Sequence, residues 1–544
     1  MSEPFAAPSA YDYPLLIRHL LTTSMMCTPD QEIVSGTTLR YDYRTFRERI
    51  GRLANGLASL GVRMGNTVAV MDWDGHRYLE CFFGVPMMGA ILHTINIRLS
   101  PEQVLYTINH ADDDVILVHE DFVPFLEQIS SRIERPVKLV LLQDGPARDD
   151  VPDGYDAEYE ALLAGSGSGF VFEDFDENTR ATTFYTTGTT GDPKGVAYSH
   201  RQLVLHTLGA VAGFSPAAGS SRLHRGDVYM PITPMFHVHG WGFPYVATML
   251  GMKQVYPGRY DPPKILRLIA EEGVTFSHCV PTILHMILSA PEAQDVDLTG
   301  WKVVIGGSAL PQGLAQAALD RGIDVFAAYG LSETCPLLTT AAISEPQDLA
   351  ARCQTGRPGP LVDLRVVDAD MNGVPHDGET TGEVVVRAPW LTQGYVKNPE
   401  GSEALWQGGY LHTGDVGYID CAGTLQITDR MKDVIKSGGE WISSLELENL
   451  ASQCPGVGEV AAIGIPDERW GERPMLIVVR AADHSPEISG DDIRDVMQPH
   501  VDSGRLSKWA VPQDVEFVEA LDKTSVGKLD KKVLRARYAG ETGS

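Results

Sequence analysis

The sequence has no surplus of positive charge. Lysine and arginine together number 44 against 72 aspartates and glutamates, which leaves a formal net charge of −28 over 544 residues. A nucleic acid or an anionic membrane would need a basic surface to neutralise phosphates, so neither is expected as a partner. Any site for a phosphorylated small molecule must therefore be locally positive within an acidic protein.

Cysteines are few, and long apolar runs are absent. The longest apolar run, residues 81–92, contains Pro86 and falls short of the ~20 residues needed to cross a bilayer. Charged residues among the first twenty argue against a signal peptide. An odd, scattered set of cysteines favours a reduced, cytoplasmic protein over a disulfide framework or a zinc site. The seven stand at Cys27, Cys81, Cys279, Cys335, Cys353, Cys421 and Cys454.

Predicted strands and helices alternate through the first two thirds of the chain. Apolar residues at helical spacing predict helices over 46–60 and 78–88. This alternation predicts two α/β subdomains with parallel sheets. Short apolar runs, each typical of a buried strand, occupy residues 67–72, 115–119, 139–142, 228–231, 274–280, 302–305 and 324–328.

From about residue 362 the pattern changes to short strands separated by turns. Segments 364–367, 382–387 and 424–427 predict a small antiparallel β-barrel or sheet. A polar segment follows at 429–433, and then a compact α+β pattern continues to about residue 537. The domain boundary is therefore predicted between Asp429 and Arg430. The expected units are a large N-terminal α/β domain, residues 1–429, and a small α+β C-terminal domain, residues 430–544.

The segment 185–195, Tyr-Thr-Thr-Gly-Thr-Thr-Gly-Asp-Pro-Lys-Gly, concentrates four threonines and three glycines. Glycines let the backbone approach a ligand closely, and successive N–H groups in such a turn bind anions. Threonine hydroxyls and Lys194 add donors and charge. A Walker A loop has glycine directly before its lysine, whereas Pro193 precedes Lys194 here. The segment predicts a different kind of phosphate loop, with an ordinary surface loop as the alternative.

Further segments carry side chains suited to a nucleotide or an acid. Taken singly, each has a structural explanation: His237 and His239 as core histidines or, less well, metal ligands, and Trp441 as a core aromatic. Glu333 and Lys528 taken singly would be solvated charges. The segments are 234–241 (PMFHVHGW), 306–309 (GGSA), 329–333 (YGLSE), 410–415 (YLHTGD), 435–443 (IKSGGEWIS) and 523–528 (KTSVGK).

In this order, the phosphate loop and the later segments resemble the motifs of the adenylate-forming enzymes. That superfamily comprises acyl-CoA synthetases, peptide-synthetase adenylation domains and luciferases. The resemblance covers nearly the whole chain and is strongest for medium- and long-chain fatty-acyl-CoA synthetases. Two positions depart from the family pattern: Ser332 replaces a usual threonine, and Asp522 replaces a usual proline.

The resemblance implies an ATP site. Tyr329 would stack on adenine, and Asp415 with Arg430 would hold the ribose hydroxyls. Mg²⁺, which prefers oxygen ligands, would be held by Thr186 and Glu333. The full set of implied ATP-binding residues is Thr186, Thr187, Gly188, Thr189, Thr190, Gly191, Lys194, Gly307, Ser308, Ala309, Tyr329, Gly330, Ser332, Asp415 and Arg430.

The resemblance also implies a mobile C-terminal domain and three catalytic side chains. His237 would lie between the substrate carboxylate and the α-phosphate, Glu333 would hold the metal ion, and Lys528 would stabilise charge in the first step. The C-terminal domain would rotate about Lys432. The coenzyme A and acyl channel would include Trp241, Lys436, Gly438, Gly439 and Trp441.

The predicted function is therefore an AMP-forming acyl-CoA ligase that uses ATP, Mg²⁺ and coenzyme A. A medium- or long-chain fatty acid is the preferred substrate, with short-chain, thioether and aryl acids as alternatives. Two other functions stay open: an adenylation enzyme that loads a carrier protein, and a nucleotide-binding sensor without turnover. The expected partners are small molecules, and a homodimer is compatible with the sequence.

Overall fold

The computed structural model contains four β-sheets, and their order along the chain follows the predicted α/β, antiparallel and α+β regions. Each predicted strand or helix overlaps an observed one. Within the described residues no helix is long and apolar enough to cross a membrane. The structure describes residues 7–37, 39–145, 153–186, 192–214, 223–345, 347–437, 440–467, 469–481, 487–503, 506–524 and 528–538, without the side chains of Glu440 and Trp441.

The first α/β region is a seven-stranded sheet in the order β7-β6-β5-β3-β4-β8-β9, parallel except for the β8–β9 hairpin. Strand β3 is buried at every position, as expected for a parallel strand covered on both faces. Strands β1 (Glu32–Ser35) and β2 (Leu39–Asp42) belong to the next sheet. The strands of the first sheet are β3 (Thr67–Met71), β4 (Ile91–Thr94), β5 (Asp113–His119), β6 (Lys138–Leu142), β7 (Ala157–Glu158), β8 (Arg180–Thr186) and β9 (Lys194–Ser199). The helices are Thr22–Cys27, Tyr43–Ser59, His76–Met87, Pro101–Ala111, Val123–Ser130, Tyr159–Ala164 and His200–Phe214, with 3₁₀ turns at Ile17–Leu21 and Glu120–Phe122.

The second α/β region is a nine-stranded sheet in the order β16-β15-β14-β13-β12-β10-β11-β1-β2. Its central strands are parallel, so their carboxyl ends meet at one edge. The new strands are β10 (Val228–Pro231), β11 (Lys253–Tyr256), β12 (Phe276–Cys279), β13 (Lys302–Ile305), β14 (Asp324–Gly330), β15 (Leu337–Thr340) and β16 (Arg357–Pro358). The helices are Phe243–Leu250, Pro262–Glu272, Pro281–Ser289, Gln312–Asp320 and Leu349–Cys353, with a short turn at Val238–Trp241 and 3₁₀ turns at Pro291–Asp295 and Ser332–Thr334.

The third region is antiparallel, in the order β17-β18-β19-β20, so of the two expected forms the structure has an open sheet rather than a barrel. Its strands are β17 (Asp363–Val367), β18 (Gly382–Arg387), β19 (Leu411–Ile419) and β20 (Leu425–Arg430), with the helix Pro399–Leu405 and a 3₁₀ turn at Gln407–Gly409.

The C-terminal region has a five-stranded sheet in which β21, β23 and β25 all pair with β24. Separate apolar clusters pack on its two faces, which gives the α+β pattern a core of its own. The strands are β21 (Ile435–Ser437), β22 (Glu440–Ile442), β23 (Val457–Asp467), β24 (Gly471–Arg480) and β25 (Asp514–Phe517), and the helices are Ser444–Ala451, Gly490–Asp502 and Lys531–Tyr538.

Candidate active site

The candidate site lies at the carboxyl ends of β13 and β14, where ligands usually bind in an open α/β sheet. Strand β13 leads directly into Gly306 and Gly307, and β14 ends in Tyr329 and Gly330. Together with His237, Trp241, Ser332 and Lys528, these residues line one small cavity. The structure therefore brings together residues from four of the motifs that are far apart in the sequence.

The predicted ribose-binding residues form a connected cluster. The Tyr329 hydroxyl donates to Asp415 Oδ2 at 2.7 Å, and Arg430 Nε lies 3.3 Å from Asp415 Oδ1. Burial raises the pKa of Asp415, whereas the positive charge of Arg430 acts in the opposite direction. The Asp415 backbone N–H donates to Thr413 Oγ1 at 3.1 Å. The carboxylate is thus contacted by Tyr329 of β14 and Arg430 of β20, and the Asp415 backbone is bonded within β19.

Glu333 is linked to the hairpin that flanks the phosphate loop. The Tyr395 hydroxyl donates to Glu333 Oε1 at 2.7 Å, and Lys194 Nζ lies 4.7 Å from the centre of the Tyr395 ring. Lys194 pairs across the hairpin with Thr186. Glu333 and Thr186, the two residues expected to hold Mg²⁺, are therefore linked by Tyr395, which contacts Glu333 and Lys194, and by the pairing of Lys194 with Thr186.

Lys528 is contributed by the C-terminal region. A Cβ atom built on Gly307 would lie 2.8 Å from Lys528 Cε and 3.5 Å from Nζ, so any larger residue there would displace the end of the Lys528 side chain. The φ of +80° at Gly307 also favours glycine. Burial, reinforced by the charge of Arg430, lowers the pKa of Lys528 to about 8, while Asp415 and Glu333 oppose that shift.

His237 opens a turn with an unusual backbone. Burial lowers the pKa of His237 to about 3, and the nearby charge of Lys528 adds to this shift, so the imidazole is neutral at pH 7. The next five residues, 238–242, all have positive φ between 48° and 74°. Trp241 is 7% exposed, and its Cη2 would lie 3.0 Å from a Cβ built on Gly306. The turn places one polar and one apolar side chain on the cavity.

His239 is not part of a metal centre in the structure. Its ring is fully buried and lies against the rings of Phe82, Phe184, Tyr198 and Tyr245. Across the described part of the chain, no group of three or more His, Cys, Asp or Glu side chains could hold a metal ion.

The remaining predicted residues lie around the cavity or beyond it. Ser308 and Ala309 line a separate cleft of about 680 Å³ between the second sheet and the C-terminal region. Lys432 is exposed just beyond β20, and its charge opposes the rise in the pKa of Asp415. Lys436 is exposed on β21 and pairs with Trp441 of β22. Outside the described residues lie Thr187, Gly188, Thr189, Thr190, Gly191, Gly438 and Gly439, and so does the side chain of Trp441.

Two residues that support the site were not among the predicted ones. Asp74 is 3% exposed and accepts a 2.7 Å hydrogen bond from the backbone N–H of Met235, just before His237. Asp74 follows β3 closely in the sequence, and ligands usually bind at the carboxyl ends of parallel strands, so this position could have indicated a functional residue. Tyr395 has no such signal, because its contacts with Glu333 and Lys194 depend on tertiary packing.

Models of two sequence families match this chain. The model described as AMP-binding enzyme matches residues 21–396, and the model described as AMP-binding enzyme C-terminal domain matches residues 446–528. The first match includes the phosphate-loop segment, residues 185–195, and the second ends at Lys528.

Curated relatives match nearly the full length. A protein of Thermus thermophilus named long-chain-fatty-acid–CoA ligase is 39% identical over 528 residues, 94% of each chain. A Ruegeria pomeroyi protein named 3-methylmercaptopropionyl-CoA ligase is 37% identical, with 96% of this chain and 97% of the relative covered. An Ectopseudomonas oleovorans protein named medium-chain-fatty-acid–CoA ligase is 34% identical, with 93% and 92% covered.

Solved structures share the fold. An anthranilate CoA ligase, AuaEII, in complex with anthranoyl-AMP superposes with a TM-score of 0.86 at 24% identity, over 97% of this chain and 98% of that one. ATP-bound MatB from Rhodopseudomonas palustris gives 0.80 at 25% identity, over 96% and 98%. These matches confirm the predicted arrangement of a large α/β region followed by a smaller C-terminal region. From its sequence matches over both regions, the chain belongs to the AMP-binding enzyme family.

Proposed function

We propose that the protein is an AMP-forming acyl-CoA ligase. The observation that carries this proposal is the position of Lys528, which the C-terminal region places beside Gly307 and whose charge acts on His237 and Asp415. A lysine from a separate region that lines one cavity with an imidazole and acts electrostatically on a buried carboxylate suits charge stabilisation in an adenylation site. The three named CoA ligases among the relatives support the same reaction class.

In the first half-reaction, the acid's carboxylate oxygen attacks the α-phosphorus of ATP. The bond from that phosphorus to the bridging oxygen breaks, pyrophosphate leaves, and an acyl-adenylate forms. The ammonium of Lys528 reduces repulsion between the carboxylate and the phosphate, and neutral His237 offers a hydrogen bond at the same place. Catalysis then depends on positioning and electrostatics rather than on a side-chain nucleophile.

The nucleotide is assigned to the connected clusters. Tyr329 faces adenine, Asp415 and Arg430 hold the ribose, and Ser332 with Lys194 holds phosphate oxygens. The remaining proposed contacts are Thr186, Thr187, Gly188, Thr189, Thr190, Gly191, Gly307, Ser308, Ala309 and Gly330. Thr186 and Glu333 would hold Mg²⁺, which would neutralise phosphate charge when bound.

In the second half-reaction, the thiol of coenzyme A attacks the acyl carbonyl carbon, the bond to AMP breaks, and a thioester forms. We assign this step to a second orientation of the C-terminal domain, residues 430–544, after rotation about Lys432. The segment with Lys436, Gly438, Gly439 and Trp441 would then approach the cavity in place of Lys528. Movements of loops and domains complete the catalytic site in many enzymes.

The acid class is the finer part of the proposal. The relatives named for long-chain and medium-chain fatty acids support the substrate that the sequence predicts. The relative named for 3-methylmercaptopropionyl-CoA, at nearly equal identity, supports the short thioether alternative. We therefore assign an acid with an apolar tail, whose length depends on the depth of the acyl pocket.

The test is carboxylate-dependent ATP–pyrophosphate exchange over a panel of acids, followed by addition of coenzyme A. Exchange with at least one acid, and a thioester on adding coenzyme A, is the expected result. Exchange without a thioester would favour loading of a carrier protein. ATP binding with no exchange for any acid would favour the nucleotide-binding sensor and overturn the proposal.

A further inference from the structure

The phosphate-loop segment begins and ends on one antiparallel strand pair. Strand β8 ends with Tyr185 and Thr186, and β9 begins with Lys194 and Gly195. Across the pair, Tyr185 is opposite Gly195 and Thr186 is opposite Lys194. We call these four residues the base of the phosphate loop. Because Thr186 and Lys194 are proposed above to hold Mg²⁺ and phosphate oxygens, a group that fixes the base also fixes two proposed ligand contacts.

The ring of Tyr185 connects the two strands of the base. A Cβ atom built on Gly195 would lie 3.2 Å from Tyr185 Cε1 and 3.3 Å from Cζ, so a larger residue there would crowd the ring. The missing side chain thus lets β9 lie directly against Tyr185. The Tyr185 side chain is only 5% exposed. A shift of its ring would therefore be transmitted to both ends of the phosphate-loop segment.

The hydroxyl of Tyr185 is anchored to His110, near the end of the helix Pro101–Ala111. Tyr185 Oη lies 2.8 Å from His110 Nδ1, which is a hydrogen-bond distance. Burial raises the pKa of Tyr185, so the hydroxyl keeps its proton. Burial also lowers the pKa of His110, and the charge of Lys397 acts in the same direction. The imidazole is therefore neutral at pH 7, and its Nδ1 can accept a hydrogen bond from the hydroxyl.

A buried histidine–carboxylate pair lies against the ring of Tyr185. His93 Nδ1 is 2.9 Å and 3.0 Å from the two carboxylate oxygens of Asp113, and both side chains are fully buried. Such a contact with a carboxylate holds an imidazole in one orientation. The centre of the His93 ring lies 5.1 Å from that of Tyr185, with the two planes tilted by 59°. Tyr185 is thus supported at its ring as well as at its hydroxyl.

A separate segment, residues 395–397, contacts the other strand of the base. Val396 N–H donates to Gly195 O at 2.8 Å. Lys397 Nζ lies 2.7 Å from Asp112 Oδ2, just beyond the helix that carries the anchoring histidine. An exposed ion pair of this kind contributes little to stability, so the backbone bond is the stronger of these two contacts. The base is therefore held from two directions.

We propose that Tyr185, anchored by His110, is a positioning residue that fixes the base of the phosphate loop and so sets the affinity for the β- and γ-phosphates of ATP. The inference rests on the nucleotide assignment in the function proposed above. It goes beyond that assignment because Tyr185 and His110 act through Thr186 and Lys194 rather than by touching the nucleotide. AMP and the acyl-adenylate lack those two phosphates, so the effect of Tyr185 should be confined to ATP.

The test compares the binding of ATP and of AMP, each with Mg²⁺, to the full-length wild type and to Tyr185→Phe by isothermal titration calorimetry. Loss of one neutral hydrogen bond should weaken ATP binding by about fivefold, whereas AMP binding should not change. Equal ATP affinities of the two folded proteins would overturn the inference. Equal weakening of ATP and AMP binding would also overturn it, because it would indicate a general disturbance of the site.

Variants at His110 test the anchor. His110→Ala should weaken ATP binding as much as Tyr185→Phe does, and the double variant should be no weaker, since both changes remove the same hydrogen bond. His110→Asn, whose side-chain amide can take the place of Nδ1, should restore most of the affinity. Wild-type ATP affinity in folded His110→Ala would contradict the proposed anchor.

Tyr106→Phe is the matched control. The Tyr106 ring stacks on His110 with the ring centres 5.2 Å apart, but no hydrogen bond of its hydroxyl is found in the described part of the chain. Removing this hydroxyl should leave the affinities for ATP and AMP unchanged. A loss of ATP affinity as large as that of Tyr185→Phe would show that the Tyr185 hydroxyl has no particular role.

Kinetics distinguish this inference from the ligase activity. In ATP–pyrophosphate exchange with octanoate, palmitate or 3-methylthiopropionate, Tyr185→Phe should raise the KM for ATP by about fivefold and leave the KM for the acid unchanged. Thioester formation from preformed acyl-adenylate and coenzyme A should also keep its rate, and a slower rate would contradict the inference. Exchange with no acid would overturn the ligase activity alone, because the binding measurements need no acid. A wild type that binds neither nucleotide would overturn both.

Discussion

Two lysines of the C-terminal region, Lys528 and Lys436, both lie in predicted functional motifs, but their surroundings in the structure differ. Lys528 is half-buried beside Gly307, and burial with the charge of Arg430 lowers its pKa to about 8. Lys436 is exposed, and its backbone N–H donates to Glu472 of β24 at 2.7 Å. The first lysine is integrated into the site, whereas the second is bound to its own sheet.

Of these two lysines, Lys528 lines the candidate cavity and Lys436 does not. Thr524 and Lys528 are joined by two hydrogen bonds, since Thr524 N–H donates to Lys528 O at 2.7 Å and Lys528 N–H donates to Thr524 Oγ1 at 3.2 Å. Lys436 lies on β21, which pairs antiparallel with β22. We infer that the loop of Lys528 serves adenylation and that the loop of Lys436 serves thioester formation.

The largest expected effect is that of Lys528→Ala. Removing one preorganised charge from a transition state typically costs about 10²–10³ in rate, so ATP–pyrophosphate exchange should fall by that factor. Lys523→Ala is the matched control, because Lys523 lies on the same loop but pairs with Glu459 at 2.9 Å. Exchange by Lys528→Ala within a few-fold of the wild type would remove Lys528 from the proposed mechanism.

Gly307→Ala should displace Lys528 without removing it. The added Cβ would lie 2.8 Å from Lys528 Cε, so exchange should fall at least about tenfold, as expected when a catalytic group is shifted by a fraction of an ångström. Gly300→Ala is matched for backbone strain, since Gly300 has the same φ of +80° but no atom within 4 Å of the new Cβ. Equal loss of exchange in both variants would mean that strain, and not the clash, is responsible.

The rate of exchange should fall as pH rises through about 8. The charged form of Lys528 is required, and its pKa is lowered to about 8 by burial and by Arg430. Above that pH the ammonium deprotonates, and the rate should decline about tenfold for each further pH unit. Circular dichroism over the same range would check that the fold persists. A flat profile up to the ordinary lysine pKa would contradict a lowered pKa of Lys528 in the site.

The smallest expected effect is that of Tyr329→Phe. It removes the 2.7 Å hydrogen bond to Asp415, which is worth about 1 kcal/mol, so the KM for ATP should rise by about fivefold. Tyr410→Phe is the control, because Tyr410 bonds to Asp363 at 2.9 Å in the same antiparallel sheet. A larger effect of Tyr410→Phe than of Tyr329→Phe would argue against a nucleotide site at Asp415.

The sequence predicted the order of the elements because hydrophobic periodicity is a local property. The segments 306–309 and 329–333, which follow predicted strands, were expected to carry functional side chains, and residues of both segments line the cavity in the structure. The strands β8 and β9 on either side of the phosphate loop were not predicted, since Thr-rich and Gly-rich segments resemble turns.

Contacts between distant segments could not be predicted. Nothing in the neighbourhood of His110 indicates that it contacts Tyr185, which lies 75 positions later in the chain. The bond from Tyr395 to Glu333 and the fit of Lys528 to Gly307 likewise depend on how separate regions pack. Pocket depth, and with it the class of acid, is a property of that packing.

The most direct test of the two-loop account measures each half-reaction separately in Lys528→Ala and in Lys436→Ala. Adenylation is followed by ATP–pyrophosphate exchange, and thioester formation is followed from preformed acyl-adenylate and coenzyme A. The account predicts that Lys528→Ala loses adenylation by about a hundredfold and keeps thioester formation, whereas Lys436→Ala keeps adenylation and slows thioester formation. Loss of the same half-reaction in both variants would contradict it.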